Sequence, residues 1–170
     1  MSRQTKCFIA IDPGAVTGIA IWTGQNLRLK SGNFFEALYF LDEYVFDDLI
    51  ANKKDFEIII EDPNKVKLTF RRKQHKQGEN TVGMNDRKAQ NVGMNKRDAQ
   101  LWILWCEHNR LKHKAIKPLQ KTLNGRNLWG GSNGKISQDE FEEKLGINIK
   151  TNQHCRDACL ILSQYVKLEV

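Results

Sequence analysis

Paired cysteines are missing from this sequence. The four thiols, Cys7, Cys106, Cys155 and Cys159, form no CxxC couple, which sets aside the usual spacing of a metal knuckle or a dithiol redox pair. No window of about 18 apolar residues occurs, so no membrane span is expected. The opening MSRQTKCFIAID enters a strand almost at once and leaves no room for a signal peptide. Reduced thiols in a cytoplasm follow as the expectation. Acidic residues are scarce in one region. Residues 64–76 carry six basic side chains and no acid, and none lies between Glu107 and Asp139, where seven basic residues do. The net charge of +7 is therefore uneven. Residues 1–62 hold 6 basic and 10 acidic side chains, residues 63–138 hold 17 and 4, and residues 139–170 hold 4 and 6. A basic middle between acidic ends favours a polyanion, and nucleic acid in particular, over evenly scattered solubilising charge.

A chain of 170 residues reads as one domain spanning 1–170, long enough to bury a core. Cys7 to Trp22, CFIAIDPGAVTGIAIW, organises it. Phe8–Ile11 and Ile19–Trp22 are short apolar runs of strand type. The link is too short for a crossover helix, so they pair as an antiparallel hairpin. Asp12 ends the first run and Pro13 stops the ladder. Gly14 and Gly18 permit positive φ or close approach by another group. Leu27 to Gly32 completes a three-strand meander after the TGQN turn. Asn33 can cap a helix to about Asn52, whose stripe is Phe34, Leu38, Leu41, Val45 and Leu49. The aromatics of that helix read as core and cover.

Phe56 to Ile60 is a fourth, β-branched strand ending in Glu61-Asp62-Pro63. It repeats the opening pattern of apolar strand, carboxylate and proline. A helix between it and the meander makes it parallel to the first strand, so Asp12 and Glu61 reach the same sheet edge. A near-repeat follows, VGMNDRKAQ from Val82 and VGMNKRDAQ from Val92. The first copy is expected as a loop or short helical turn, and the second as entry to a helix capped by Asn95. The apolar LWILW from Leu101 implies burial on more than one face. His113–Lys117 reads as a last edge strand. Ser137 and Glu140 form a capping box for a short helix stopped by Gly146. A closing helix begins near His154 and Asp157, which lie three apart on one face.

Three carboxylates and a histidine thus come forward: Asp12, Glu61, His154 and Asp157. Clustered carboxylates repel unless a cation neutralises them, and oxygen-rich sites select Mg²⁺ or Mn²⁺. The order of motifs resembles the ribonuclease H-like superfamily and, more closely, the RuvC-type Holliday junction resolvases, nearest to phage-encoded members. IAIDPGAVTGIAIW is similar to the family's opening hairpin and IIIEDP to its second acidic strand. HCRDACLIL is similar to the closing motif, where His or Asp stands three before the last Asp. KRDAQLWILW is similar to the helix after the second motif in phage members.

The resemblance implies an α/β ribonuclease H-like fold, a five-stranded mixed sheet in order 3-2-1-4-5 with helices on both faces. It implies a crossover junction endodeoxyribonuclease of DNA recombination and repair, in the cytoplasm of a bacterium or a phage-infected host. Asp12, Glu61, His154 and Asp157 would be catalytic groups and ligands of two Mg²⁺ ions, with Mn²⁺ able to substitute. The partner would be a four-way junction or related branched DNA, and the active form a homodimer contacting near the helix after the second motif. Phe70, Arg71, Arg72, Lys73, Lys117 and Lys121 are the expected DNA contacts. Asp62 reads as a turn-former. Cys155, Cys159 and His154 crowd too tightly on one helix to aim at a tetrahedral zinc. The rival readings are an RNase H acting on RNA–DNA hybrid and a non-catalytic junction binder. An actin-like ATPase also opens with Asp-x-Gly, but needs two such domains.

Overall fold

The computed structural model describes residues 6–66, 82–120, 122–123, 126–127 and 135–168. Strands β1 (Cys7–Asp12) and β2 (Thr17–Trp22) form the hairpin, in register from Phe8 opposite Trp22 to Asp12 opposite Gly18. Every residue of β2 is buried. The turn to β3 (Leu27–Gly32) uses Gly24 at φ 91°, a left-handed conformation that favours glycine. β3 alternates half-buried and exposed residues, as an edge strand does. β4 (Phe56–Glu61) pairs parallel with β1, and β5 (His113–Ile116) pairs parallel with β4. The sheet order is β3-β2-β1-β4-β5, the mixed 3-2-1-4-5 arrangement the sequence implied. β5 stops one residue short of Lys117. A separate two-stranded ladder follows, of β6 (Thr122–Leu123) and β7 (Arg126–Asn127).

Helix α1 (Phe34–Glu43) starts as expected. Asn33 accepts from the Phe35 and Glu36 amides, and Glu36 accepts from the Asn33 amide. The helix then widens into a π-helical segment, Tyr44–Ile50. Leu41, Val45 and Leu49 recur every fourth residue and stay fully buried, which suits that wider turn. Two of the helix aromatics are not cover, since Phe35 is 66% and Tyr39 74% exposed.

Helix α2 runs unbroken over Val82–His108 and takes in both VGMN copies. The first copy is therefore part of one long helix rather than a loop or a short helical turn, and Asn95 lies in mid-helix rather than at a cap. One glycine per copy costs only about 1 kcal/mol against alanine, too little to break 27 residues of helix. Arg110, at φ 55°, ends it, with the Leu111 amide donating back to the Cys106 carbonyl at 2.8 Å. The LWILW run buries one side. Trp102 is fully buried against Phe34, while Leu104 is 50% exposed.

The pleat sorts side chains to two cores. Ile9, Ile11, Ile58 and Ile60 face α1 and α2. Ala10, Ala20 and Ile59 face α3 (Gln138–Leu145) and α4 (Gln153–Leu162). The Ser137–Glu140 capping box and left-handed Gly146 bound α3 as expected. Among the described residues, no helix is long and apolar enough to cross a membrane.

Candidate active site

One transverse row of the sheet defines the site. Asp12 pairs with Gly18, and Gly18 with Ser31. On the other side, Ile11 pairs with Ile60, so Asp12 and Glu61 are the next step along both parallel strands. Glu61 pairs in turn with Ile116. Side chains alternate faces along a strand. Ala10 and Ile59 point into the α4-side core, so Asp12 and Glu61, two residues on, point to that same face. Asp12 is half-buried and Glu61 buried. The Leu119 amide, just past Pro118, donates to Glu61 Oε2 at 3.2 Å and fixes one carboxylate oxygen.

Helix α4 brings the remaining pair. Its first turn crosses the row at Gly18. A Cβ built on Gly18 would stand 2.0 Å from the His154 carbonyl oxygen and 2.5 Å from its carbon. The His154 backbone therefore rests directly on the residue opposite Asp12. Asn152 caps α4 by accepting from the Cys155 amide, and its Nδ2 donates to Ser31 Oγ at 2.5 Å. Arg156 holds the approach to α4, donating to the carbonyls of Ile136 and Thr151 and to the Gln138 side chain. Asp157, one turn into α4, is buried. Asp12 and Glu61 thus share one edge and one face, and α4 lays the His154 backbone on the neighbouring Gly18.

The donor set is three carboxylates and an imidazole, chemistry that suits Mg²⁺ or Mn²⁺. Gly18 gives the helix the close approach that such a set needs. Among the described residues, no three His, Cys, Asp or Glu side chains already close on a common point. The fit is one of backbone placement and donor chemistry. The nearby thiols add no soft ligand. Burial pushes Cys155 and Cys159 up, away from thiolate.

Lys117 is exposed and follows Ile116, the partner of Glu61, so it stands at the same edge. Phe70, Arg71, Arg72, Lys73 and Lys121 lie outside the described residues. Asp62 serves its own turn, accepting from the Asn64 amide and side chain at 2.9 Å. Three features at this edge have no counterpart in the sequence reading. Ser31 anchors the α4 cap. Asn95 of α2 approaches Gly14 on the loop after Asp12, 3.3 Å from where a Cβ would stand. Asp98 is 3% exposed and bonds the Arg97 guanidinium at 2.9 Å. The signal for Asp98 was its place on the stripe of Asn95 and Trp102, three before and four after. A cleft of about 290 Å³ beside Phe56, Arg110 and Lys112 lies at the opposite end of the strands and takes no part.

No protein-family model matches the sequence, and no curated protein matches it. Among solved structures, the chain is similar to T. thermophilus RuvC in complex with a Holliday junction substrate, at 18% identity and a TM-score of 0.43, over 91% of this chain and 89% of that one. At that distance the site stands on this chain's own strand order, register and residues.

Proposed function

We propose that the chain is a divalent-metal-dependent, structure-selective DNA endonuclease that hydrolyses phosphodiester bonds in four-way junctions or related branched DNA. The observation that carries this reading is the row Gly18–Asp12–Glu61, with the first turn of α4 laid across it. It sets residues 12 and 61 side by side at one end of the sheet, with the backbone of residue 154 against the neighbouring position 18. Backbone pairing holds two of the acids and a capped helix the rest.

Asp12, Glu61, His154 and Asp157 would hold two divalent ions. When bound, such ions polarise the scissile phosphate and stabilise charge on the attacking and leaving oxygens. The chain's own groups do the rest. The Leu119 amide occupies one Glu61 oxygen and orients the other. A neutral His154 imidazole, at the start of α4, can ligate a cation or instead take a proton from the attacking water. Lys117, at the Glu61 edge, offers an ammonium to a backbone phosphate. The basic middle of the sequence, 17 basic against 4 acidic side chains over residues 63–138, supplies the longer-range attraction. The partly bare outer sides of α1 and α2, with Phe35, Tyr39 and Leu104 exposed, suit a second copy of the chain. The active form is accordingly a homodimer on this reading.

The test compares a four-way junction, a linear duplex and an RNA–DNA hybrid, each with Mg²⁺ and with EDTA. Cutting of the junction alone, lost in EDTA, is the expected result. Preference for the hybrid would assign the chain to RNA removal. Junction binding with no cutting in any metal would make it a binding module.

A further inference from the structure

Gly18 and Ser31 lie in the same row as Asp12 but carry no metal-binding chemistry of their own. Gly18 touches the His154 backbone so closely that even a methyl group is excluded. Ser31, its ladder partner, accepts from the side chain of Asn152, the residue that caps α4. Two neighbouring positions across the sheet therefore meet the start of α4: Ser31 holds its cap and Gly18 takes its first turn, with Asp12 next in the row. Leu27 and Leu29 point into the α4-side core, and Ser31 continues their parity, as Gly18 continues that of Ala20. All three thus open to the same face. Neither residue belongs to the acidic set, and α4 has a large apolar anchor of its own in Cys159, Leu160, Ile161 and Leu162. The polar seat is thus more than the helix needs merely to stay on the sheet. What it adds is a fixed height and rotation for the first turn.

We propose that Gly18 and Ser31 are positioning residues, a seat that sets the spacing between the α4 pair, His154 and Asp157, and the strand pair, Asp12 and Glu61, and so sets affinity for the divalent ion. This rests on the metal-site reading above. A Cβ at position 18 lifts or turns the first helical turn away from Asp12. Loss of the Ser31 hydroxyl frees the cap and lets that turn drift. Outer groups that orient metal ligands typically govern affinity by roughly 10–100-fold.

The experiment measures Mn²⁺ binding directly, by the electron paramagnetic resonance signal of free Mn²⁺, in wild type, Gly18→Ala and Ser31→Ala, well below each protein's melting temperature. Junction binding in EDTA is measured alongside. The expected result is a Mn²⁺ affinity weakened about tenfold or more in Gly18→Ala and several-fold in Ser31→Ala, with junction binding intact. Ser31→Thr, which keeps the hydroxyl, should restore most of the affinity. If Gly18→Ala does not fold, the Ser31 pair decides alone. Unchanged Mn²⁺ affinity in folded variants, with only a lower melting temperature, would reduce the seat to ordinary packing and overturn the proposal. A wild type that takes up no Mn²⁺ would overturn the metal-site reading beneath it, a separate and recognisable failure.

Discussion

Glu61→Gln should leave the metal-free protein at least as stable as the wild type and abolish stabilisation by Mg²⁺. Glutamine keeps the oxygen that accepts from the Leu119 amide, so the change removes charge and little else. Neighbouring strands lie about 4.8 Å apart, and Asp12 and Glu61 leave adjacent positions on one face. Two carboxylates about 6 Å apart repel by roughly 0.7 kcal/mol in water and about 2.8 kcal/mol at an effective dielectric of 20. Glu61 is 9% exposed, so its environment lies between those limits. Relief of that repulsion corresponds to a rise of roughly 2–8 °C in melting temperature for a chain of this size. The assay is thermal unfolding of both proteins at low salt, first in EDTA and then across a Mg²⁺ titration. The wild type should gain stability with Mg²⁺ and the variant should not. A variant that melts lower in EDTA, or that Mg²⁺ stabilises as strongly as the wild type, would refute the claim that Glu61 belongs to a like-charged cluster awaiting a cation.

Asp12→Asn and Asp157→Asn should each abolish junction cleavage while leaving junction binding, with the same steep loss of affinity in rising salt, because the basic surface is untouched; near wild-type cutting by either would remove that residue from the site. His154→Asp should stay active and shift preference from Mn²⁺ toward Mg²⁺, since Mg²⁺ favours oxygen; the ratio of cleavage rates in the two metals checks this, and an unchanged ratio would exclude His154 as a ligand. At the far end of the sheet, hydrogen bonding from Lys6 draws the Glu57 carboxyl below its ordinary 4.5, and the same bond raises Lys6 above 10.5. The Glu57 part of this stabilisation is present above the unfolded carboxyl value and lost as pH falls through the depressed one. The Lys6 part is present below the unfolded lysine value and lost as pH rises through the raised one. Glu57→Gln should therefore cost up to about 1 kcal/mol between roughly pH 5 and 10, a cost that fades progressively beyond either limit, as urea unfolding at several pH values will read.

The strand order was legible because two apolar runs end alike, in carboxylate then proline, with a helix-length stretch between them. That pattern alone makes β1 and β4 parallel neighbours and puts Asp12 beside Glu61. His154 and Asp157 were legible as a pair through their spacing of three. The seat of α4 was not. Gly18 was legible as a place that another group could approach closely, but that group is a helix more than 130 positions later in the chain, which no local pattern names. The VGMN copies misled through their glycines and asparagines, which favour turns in isolation. In the folded chain, burial of Ala99, Trp102 and Cys106 further along the same helix outweighs that preference. Phe35 and Tyr39 read as cover because aromatics usually are buried, and only the folded surface shows that nothing in the described chain lies over them.

The register that joins residue 12 to residue 154 also imposes a timetable. During synthesis Asp12 and Glu61 exist early, on a sheet whose α4-side face, with Ala10, Ala20 and Ile59, is still uncovered. The turn that completes the constellation cannot be laid on Gly18 until Gln153–Leu162 has left the ribosome and docked. On the proposed reading, a nascent chain can form most of its sheet while remaining unable to cut. On that same reading, the final event that seals the second core also completes the site, and a partly made copy would leave the DNA around it uncut.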